Sequence, residues 1–398
     1  MSSITANTYD LHDFDRMFAD EARTGPYLAA ITAAVRPGDI VVEIGTGTGY
    51  FAVACVRAGA KHVYAIEVNP LVALGPAVAE ANGCADRITF IHGYSTRVDL
   101  PERGDVLLED LRGMFPLLRG RIPSLVDARE RLLKPGARLI TARDELWAAP
   151  CRRPDRVTPL LGLDEGTTHG IKREPVAERL RSDVHKARVG AGDLLATPVR
   201  WGTIDYSVVQ SPDMEGRCEW TLARAGAFDG VAVWFNSELF GGSRILNEPG
   251  APRTVYGHAF FPLARSRAAT AGDRVTLDLR ARRVGEGYVF AWDTTHATPA
   301  GATTSQRQST LGASLPLSLD ALRRRVSSHA PVAGSSAALT REILDLADGA
   351  HSLDDIAAQV ASRHPRRFTS VADAVSYCTA LLAGLEDEDA AQAGGGAT

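Results

Sequence analysis

Apolar and polar positions alternate in three textures along the chain. From the N-terminus to about residue 145, short apolar runs such as Val41 to Ile44, Val63 to Ile66 and Val106 to Leu108 are separated by stretches with helical spacing. That is the pattern of a doubly wound parallel sheet. Pro150 to Pro154 mark a break. Beyond it the pattern becomes short β-rich runs, Val231 to Phe235, Arg274 to Leu279 and Tyr288 to Trp292, punctuated by Gly, Pro and Asp. These predict an antiparallel barrel or sandwich. Residues 297–318, rich in Thr, Ser, Ala, Gly and Gln, read as a linker. From Leu339 to Leu385 three amphipathic helices are predicted, carrying Ile343, Leu344 and Leu346, then Ile356 and Val360, then Val371, Val375, Leu381 and Leu382. Ser352 is placed to cap the second of them.

The fold class is therefore α/β, a Rossmann-like domain followed by a β-barrel-like domain and a small helical domain. Boundaries are drawn at 1–148 for the nucleotide-type domain, 149–312 for the β-rich domain, 313–335 for a linker, 336–388 for the helices and 389–398 for a disordered tail. A length of 398 residues agrees with two or three cores.

Composition narrows the function classes. A net charge of -4 gives no electrostatic footprint for nucleic acid. The bias to arginine over lysine matches a GC-rich genome better than a guanidinium-based function. Cys55, Cys84, Cys151, Cys218 and Cys378 are scattered, without a C-x-x-C pair, so neither a disulfide framework nor a metal site is indicated. No apolar run reaches the roughly 20 residues of a membrane span, and the expected location is the cytoplasm.

The chemistry concentrates at residues 41–51, Val-Val-Glu-Ile-Gly-Thr-Gly-Thr-Gly-Tyr-Phe, a strand that breaks into a Gly-x-Gly-x-Gly turn and opens a helix. Gly45, Gly47 and Gly49 let the backbone bend sharply and approach a nucleoside. The next strand delivers Glu67, an acid able to accept hydrogen bonds from both ribose hydroxyls. A dinucleotide fingerprint needs its third glycine at position 50, where the chain has Tyr50, and Glu43 precedes the turn. An adenosine ligand without a pyrophosphate suits this turn better than NAD does, and S-adenosylmethionine (SAM) is the common ligand of that kind.

Several motifs in order resemble the protein arginine methyltransferases over most of the first 300 residues. They are Met17-Phe18-Ala19-Asp20-Glu21-Ala22-Arg23-Thr24 with Tyr27, the glycine turn, Asp86 to Gly93, Asp105 to Glu109, and Ala128-Arg129 with Leu132 to Gly136. The resemblance implies SAM as cofactor, held by Met17, Arg23, Glu43, Gly45, Thr46, Gly47, Gly49, Glu67 and Val68. Arg23 inherits the grip on the SAM carboxylate and Glu109 the role of catalytic, orienting acid. Asp110, Arg119, Tyr256 and His258 become the substrate-side candidates. A helical arm somewhere in 160–195 and a homodimer are implied as well. Leu339 to Ala357 is also similar to the helical half of small PqqD-like domains, which bind leader peptides of ribosomally made natural products.

The chain departs from the family where the acceptor is held. Counting nine residues from Glu109 toward a second glutamate reaches Leu118 and Arg119, the best match to a Thr-His-Trp motif is Thr254 to His258, and the acid near adenine is replaced by Thr96, leaving Tyr94 and Ser95 as candidates. The expected function is thus a methyltransferase acting on a peptide or protein side chain, with natural-product tailoring in view. The alternatives are a small-molecule N- or O-methyltransferase, whose anionic acceptor is met by Arg112, Arg119 and Arg121, or an inactive peptide-binding scaffold.

Overall fold

The computed structural model describes residues 9–117, 120–154, 157, 171–285, 287–313, 323–324 and 327–382. Two compact units result, residues 1–315 and 316–398.

In the first unit, two N-terminal helices, α1 (Leu11–Phe18) and α2 (Glu21–Ala34), precede five parallel strands. The strands are β1 (Ile40–Ile44), β2 (His62–Glu67), β3 (Ile88–His92), β4 (Gly104–Glu109) and β5 (Leu133–Leu139), in the order β3-β2-β1-β4-β5. The helices α3 (Tyr50–Arg57), α4 (Gly75–Ala81) and α5 (Arg121–Asp127) lie in the crossovers. β1 is fully buried along its length, which is why it reads as an apolar run rather than an alternation. The chain reverses direction in the spatial order between β1 and β4, paired in register from Val41↔Val106 to Ile44↔Glu109. That switch point puts the glycine turn after β1 beside the end of β4.

Ten further strands follow: β6 (Thr141–Cys151), β7 (His185–Ala187), β8 (Val199–Asp205), β9 (Met214–Thr221), β10 (Gly226–Leu239), β11 (Arg244–Leu246), β12 (His258–Ala269), β13 (Arg274–Val284), β14 (Gly287–Ala297) and β15 (Thr303–Ser309). They form two antiparallel sheets, β7-β12-β10-β6-β8 with β11 beside β10, and β15-β14-β13-β9. Phe261 of the first meets Phe290 and Trp292 of the second edge to face, at centroid distances of 5.6 and 5.3 Å, so the β-rich core forms between facing sheets.

Two boundaries move. The β-rich domain begins at Thr141, not at residue 149, because β6 pairs with both β10 and β8; Pro150 lies within that strand, opposite Val231, and the strand runs on to Cys151. Part of the stretch read as a linker at 297–318 is the edge strand β15. Its polar side chains are used: the Gln308 and Gln306 amide oxygens accept from the Ala264 and Arg265 backbone N–H at 3.0 and 2.9 Å. Periodicity cannot report such bonds.

The second unit holds helices Ser335–Leu346, Leu353–Arg363 and Val371–Leu382 around Leu339, Ile343, Ile356, Val360 and Cys378. Ser352 caps the middle helix in a reciprocal box with Asp355. Among its described residues no strand forms, so the hairpin of a PqqD-like domain is not among them. The tail at 389–398, and 160–170 of the expected arm, lie outside the described residues.

Candidate active site

The carboxyl ends of β1, β2 and β4 open on a cavity of about 100 Å³. Of the residues expected to hold a cofactor, Met17, Arg23, Glu43, Gly45, Thr46, Glu67 and Val68 line it, and Glu109 and Asp110 form part of its wall. Gly45 and Gly47 have φ of +83° and +60°, in the left-handed region that favours glycine. A Cβ at Gly45 would lie 2.7 Å from the Leu111 side chain, and one at Gly47 2.7 Å from the Phe14 ring. Gly49, also left-handed at +92°, is the N-cap of α3.

Sequence reasoning missed the aromatic cover. Tyr9, Phe14, Phe18 and Phe51 line the cavity, and Phe18 stacks on Tyr50 at 4.7 Å. Asp10, capping α1 reciprocally with Asp13, fixes the start of the helix that carries Phe14. The amphipathic spacing of Leu11 to Phe18 was the available signal.

Glu67 ends β2 with both oxygens engaged: Oε2 accepts from the Gly47 N–H at 2.9 Å and Oε1 from the Asn69 N–H at 2.8 Å. The acid thus ties the glycine turn to the second strand. Glu43, buried beneath, accepts from the Thr46 hydroxyl at 2.8 Å. Burial pushes its carboxyl up to about 8, against the Thr46 bond and with the charge of Glu67 adding to the rise. It is therefore protonated at neutral pH. Because the unfolded chain gives up this proton near pH 4.5 and the folded chain near 8, the folded state binds more protons between those values, and stability falls as pH rises through that window. Glu43→Gln is expected to flatten this fall, so that its urea midpoint changes less than wild type's between pH 5 and pH 8.

Beside the cavity lies a chain of six alternating charges, nearly all out of solvent. Arg23 Nε pairs with Asp110 Oδ2 at 2.8 Å, Asp110 Oδ1 with Arg112 Nη1 at 2.8 Å, and Arg112 Nε with Asp144 Oδ2 at 3.0 Å. Asp144 Oδ2 continues to Arg121 Nη1 at 3.0 Å, and Arg121 closes on Glu109 by two bonds, Nη2 to Oε1 at 2.6 Å and Nε to Oε2 at 2.9 Å. Tyr27, Tyr206, Tyr256 and Ser237 supply hydroxyls along the chain. Burial alone would raise the carboxyls of Asp110 and Asp144, but the flanking guanidinium charges outweigh it and hold both below the usual range.

Several of the expected site residues are engaged by the protein itself. Arg112 and Arg121 are not available to an anionic acceptor; both are fully buried and donate to the protein's own carboxylates. Asp110 grips Arg23 and Arg112 and accepts from the Tyr256 hydroxyl at 2.5 Å, so Tyr256 braces the charge chain. The His258 Nδ1 accepts from the Val189 N–H at 3.0 Å, and burial lowers the imidazole to about 4. Tyr94 and Ser95 do not line the cavity. Tyr94 is exposed under the Arg97 guanidinium, and the Ser95 carbonyl accepts from Arg131. Leu118 and Arg119 lie outside the described residues.

Arg23 makes bonds through Nε and through Nη1, which donates to the Met17 carbonyl at 3.0 Å. Among the described residues no protein bond is made by its Nη2.

Comparison with known proteins follows the same lines. Residues 22–142 match the family model of ribosomal protein L11 methyltransferase (PrmA). The probable protein arginine N-methyltransferase 6 of Arabidopsis thaliana is 27% identical over 239 residues, 57% of this chain and 54% of that protein. Protein arginine N-methyltransferase 6 of Xenopus tropicalis is 25% identical over 241 residues, 57% of this chain and 70% of that one. The chain is thus similar to protein arginine N-methyltransferases. It spans only about half the length of the Arabidopsis relative. The family fold extends further than these sequence matches. Arabidopsis thaliana protein arginine methyltransferase 10 superposes with a TM-score of 0.65 at 19% identity, covering 76% of this chain and 98% of that one. The Trypanosoma brucei PRMT1 enzyme-prozyme heterotetrameric complex with AdoHcy gives 0.68 at 17%, covering 76% and 99%.

Proposed function

We propose that this chain is a SAM-dependent methyltransferase acting on a peptide or protein side chain. The observation that carries the reading is the convergence of the glycine turn, Glu67 and Arg23 on one cavity at the switch point of the parallel sheet. The donor set fits an adenosyl sulfonium. Glu67 stands at a strand end where ribose hydroxyls are held, the glycine turn has no room for a Cβ, and the Nη2 of Arg23 suits a carboxylate. When bound, SAM supplies an electrophilic methyl group.

The residues of this chain then have to position and shield. Transfer is an in-line displacement that needs alignment more than acid-base machinery. The α1 cover, with Phe14 and Phe18, excludes water, while Glu109 and Asp110 sit in the wall the acceptor must approach. Glu109 remains the proposed orienting acid, held in one geometry by the two Arg121 bonds. The Trypanosoma brucei neighbour is a heterotetrameric complex, which supports self-association of this chain too. A cytoplasmic location fits five free, buried cysteines.

Titration calorimetry tests the reading. SAM and its demethylated product are expected to bind in the micromolar range and NADH not at all. Binding of NADH without binding of SAM would replace methyl transfer with redox chemistry.

A further inference from the structure

Glu109 is a carboxylate in the wall of the cavity, and a cationic acceptor needs such a group. A guanidinium is held by a carboxylate through two parallel N–H bonds, one to each oxygen. In this chain that fork is already filled from within. Arg121 gives Nη2 to Oε1 at 2.6 Å and Nε to Oε2 at 2.9 Å. Its remaining bonds, Nη1 to Asp144 at 3.0 Å and to the Tyr206 hydroxyl at 2.6 Å, anchor it from the opposite sheet, and its guanidinium lies 4.2 Å from the Tyr206 ring centroid. Arg121 is 1% exposed and so belongs to the interior.

Resting on the methyltransferase reading, we infer that Arg121 occupies the seat a cationic acceptor would take on Glu109, and that the enzyme methylates a side chain whose reacting group carries no positive charge. Two physical arguments agree. Glu109, Asp110 and Asp144 are matched by Arg23, Arg112 and Arg121, so the buried cluster offers no net negative charge to draw a cation out of water. A guanidinium or ammonium must also lose a proton before it presents a lone pair. Glu109 cannot accept that proton without breaking its pair and stranding the Arg121 charge in the interior. A carboxylate or a neutral imidazole arrives with its lone pair ready. The acceptor atom forms the new bond to the methyl carbon, and the methyl–sulfur pair of electrons stays on sulfur. A carboxylate product has no proton to lose, while a methylated imidazole gives up its N–H proton to water.

Arg121 is in these terms a positioning residue that acts through Glu109. The test uses the full chain with SAM and four peptides of one sequence that differ only in a central Arg, Lys, His or Glu, read by mass spectrometry for an added methyl group. Calorimetry with SAM alone is run beside it. The expected result is SAM binding, with transfer to the His or Glu peptide at least tenfold faster than to the Arg or Lys peptide. Arg121→Gln, where melting curves show that it folds, is expected to raise the Arg-to-His transfer ratio at least tenfold, a shift in selectivity that a merely structural residue would not produce. If that variant does not fold, the wild-type panel decides. Wild-type transfer to the Arg or Lys peptide at a rate equal to or above the others overturns the inference and leaves the methyltransferase reading standing. Cofactor binding with transfer to none of the four overturns it as well. Failure to bind SAM removes the parent reading and the inference together.

Discussion

Asp144→Ala is expected to destabilise the protein by about 3–5 kcal/mol, the range for removing one partner of a buried ion pair. Asp144 is fully buried at the middle of the charge chain, accepting from Arg112, Arg121, Tyr206 and Ser237. Its loss leaves two guanidinium groups without their shared counter-charge in a medium that solvates them poorly. Equilibrium urea unfolding monitored by tryptophan fluorescence checks the figure, and a loss under about 1 kcal/mol would show that water reaches the cluster. The same groups set the acid limb of stability. Because the carboxyls of Asp110 and Asp144 lie below their unfolded values, near 3.9 for an aspartate, their contribution is fully present above that value and disappears as pH falls through the folded ones. Wild-type stability should therefore fall steeply below about pH 4, and the Asp144→Ala protein should show a shallower decline.

Glu67→Ala is expected to weaken SAM binding roughly tenfold to a hundredfold, corresponding to about 1.5–3 kcal/mol for lost hydrogen bonds to a charged acceptor. The carboxylate serves twice in this reading, since it receives the ribose hydroxyls and also fixes the Gly47 and Asn69 N–H groups that shape the turn. Calorimetry separates the two roles when it is paired with thermal melting. A variant that melts near wild type yet binds SAM equally well would take Glu67 out of the cofactor site.

Arg112 and Arg121 illustrate how differently two parts of one site are encoded. Read along the chain, they follow Glu109 and look like donors for an anionic acceptor. In the fold they belong to Asp144, 32 and 23 residues away on a strand of another sheet, with Tyr206 a further anchor 85 residues from Arg121. His258 and Tyr256 are two residues apart and look like a pair on the substrate side, yet one hydroxyl joins the charge chain while the imidazole caps a neighbouring backbone N–H. Tyr94 and Ser95 follow β3 as an adenine pocket would require, but neither reaches the cavity wall.

What the sequence determined by itself was local. The apolar run of β1, the left-handed glycines after it and the acid at the end of β2 are each dictated within a few residues by sterics and hydrogen bonding, and together they specify a parallel sheet with a nucleoside-type turn. The switch from that sheet to antiparallel strands and then to three helices was legible for the same reason, because burial imposes its period on each element separately. Only the tertiary structure decided the partners of Glu109, Asp110, Arg112 and Arg121. A buried charge takes its meaning from whichever opposite charge the packing brings within about 3 Å, and here those partners come from two sheets and two helices whose proximity no spacing in the chain expresses.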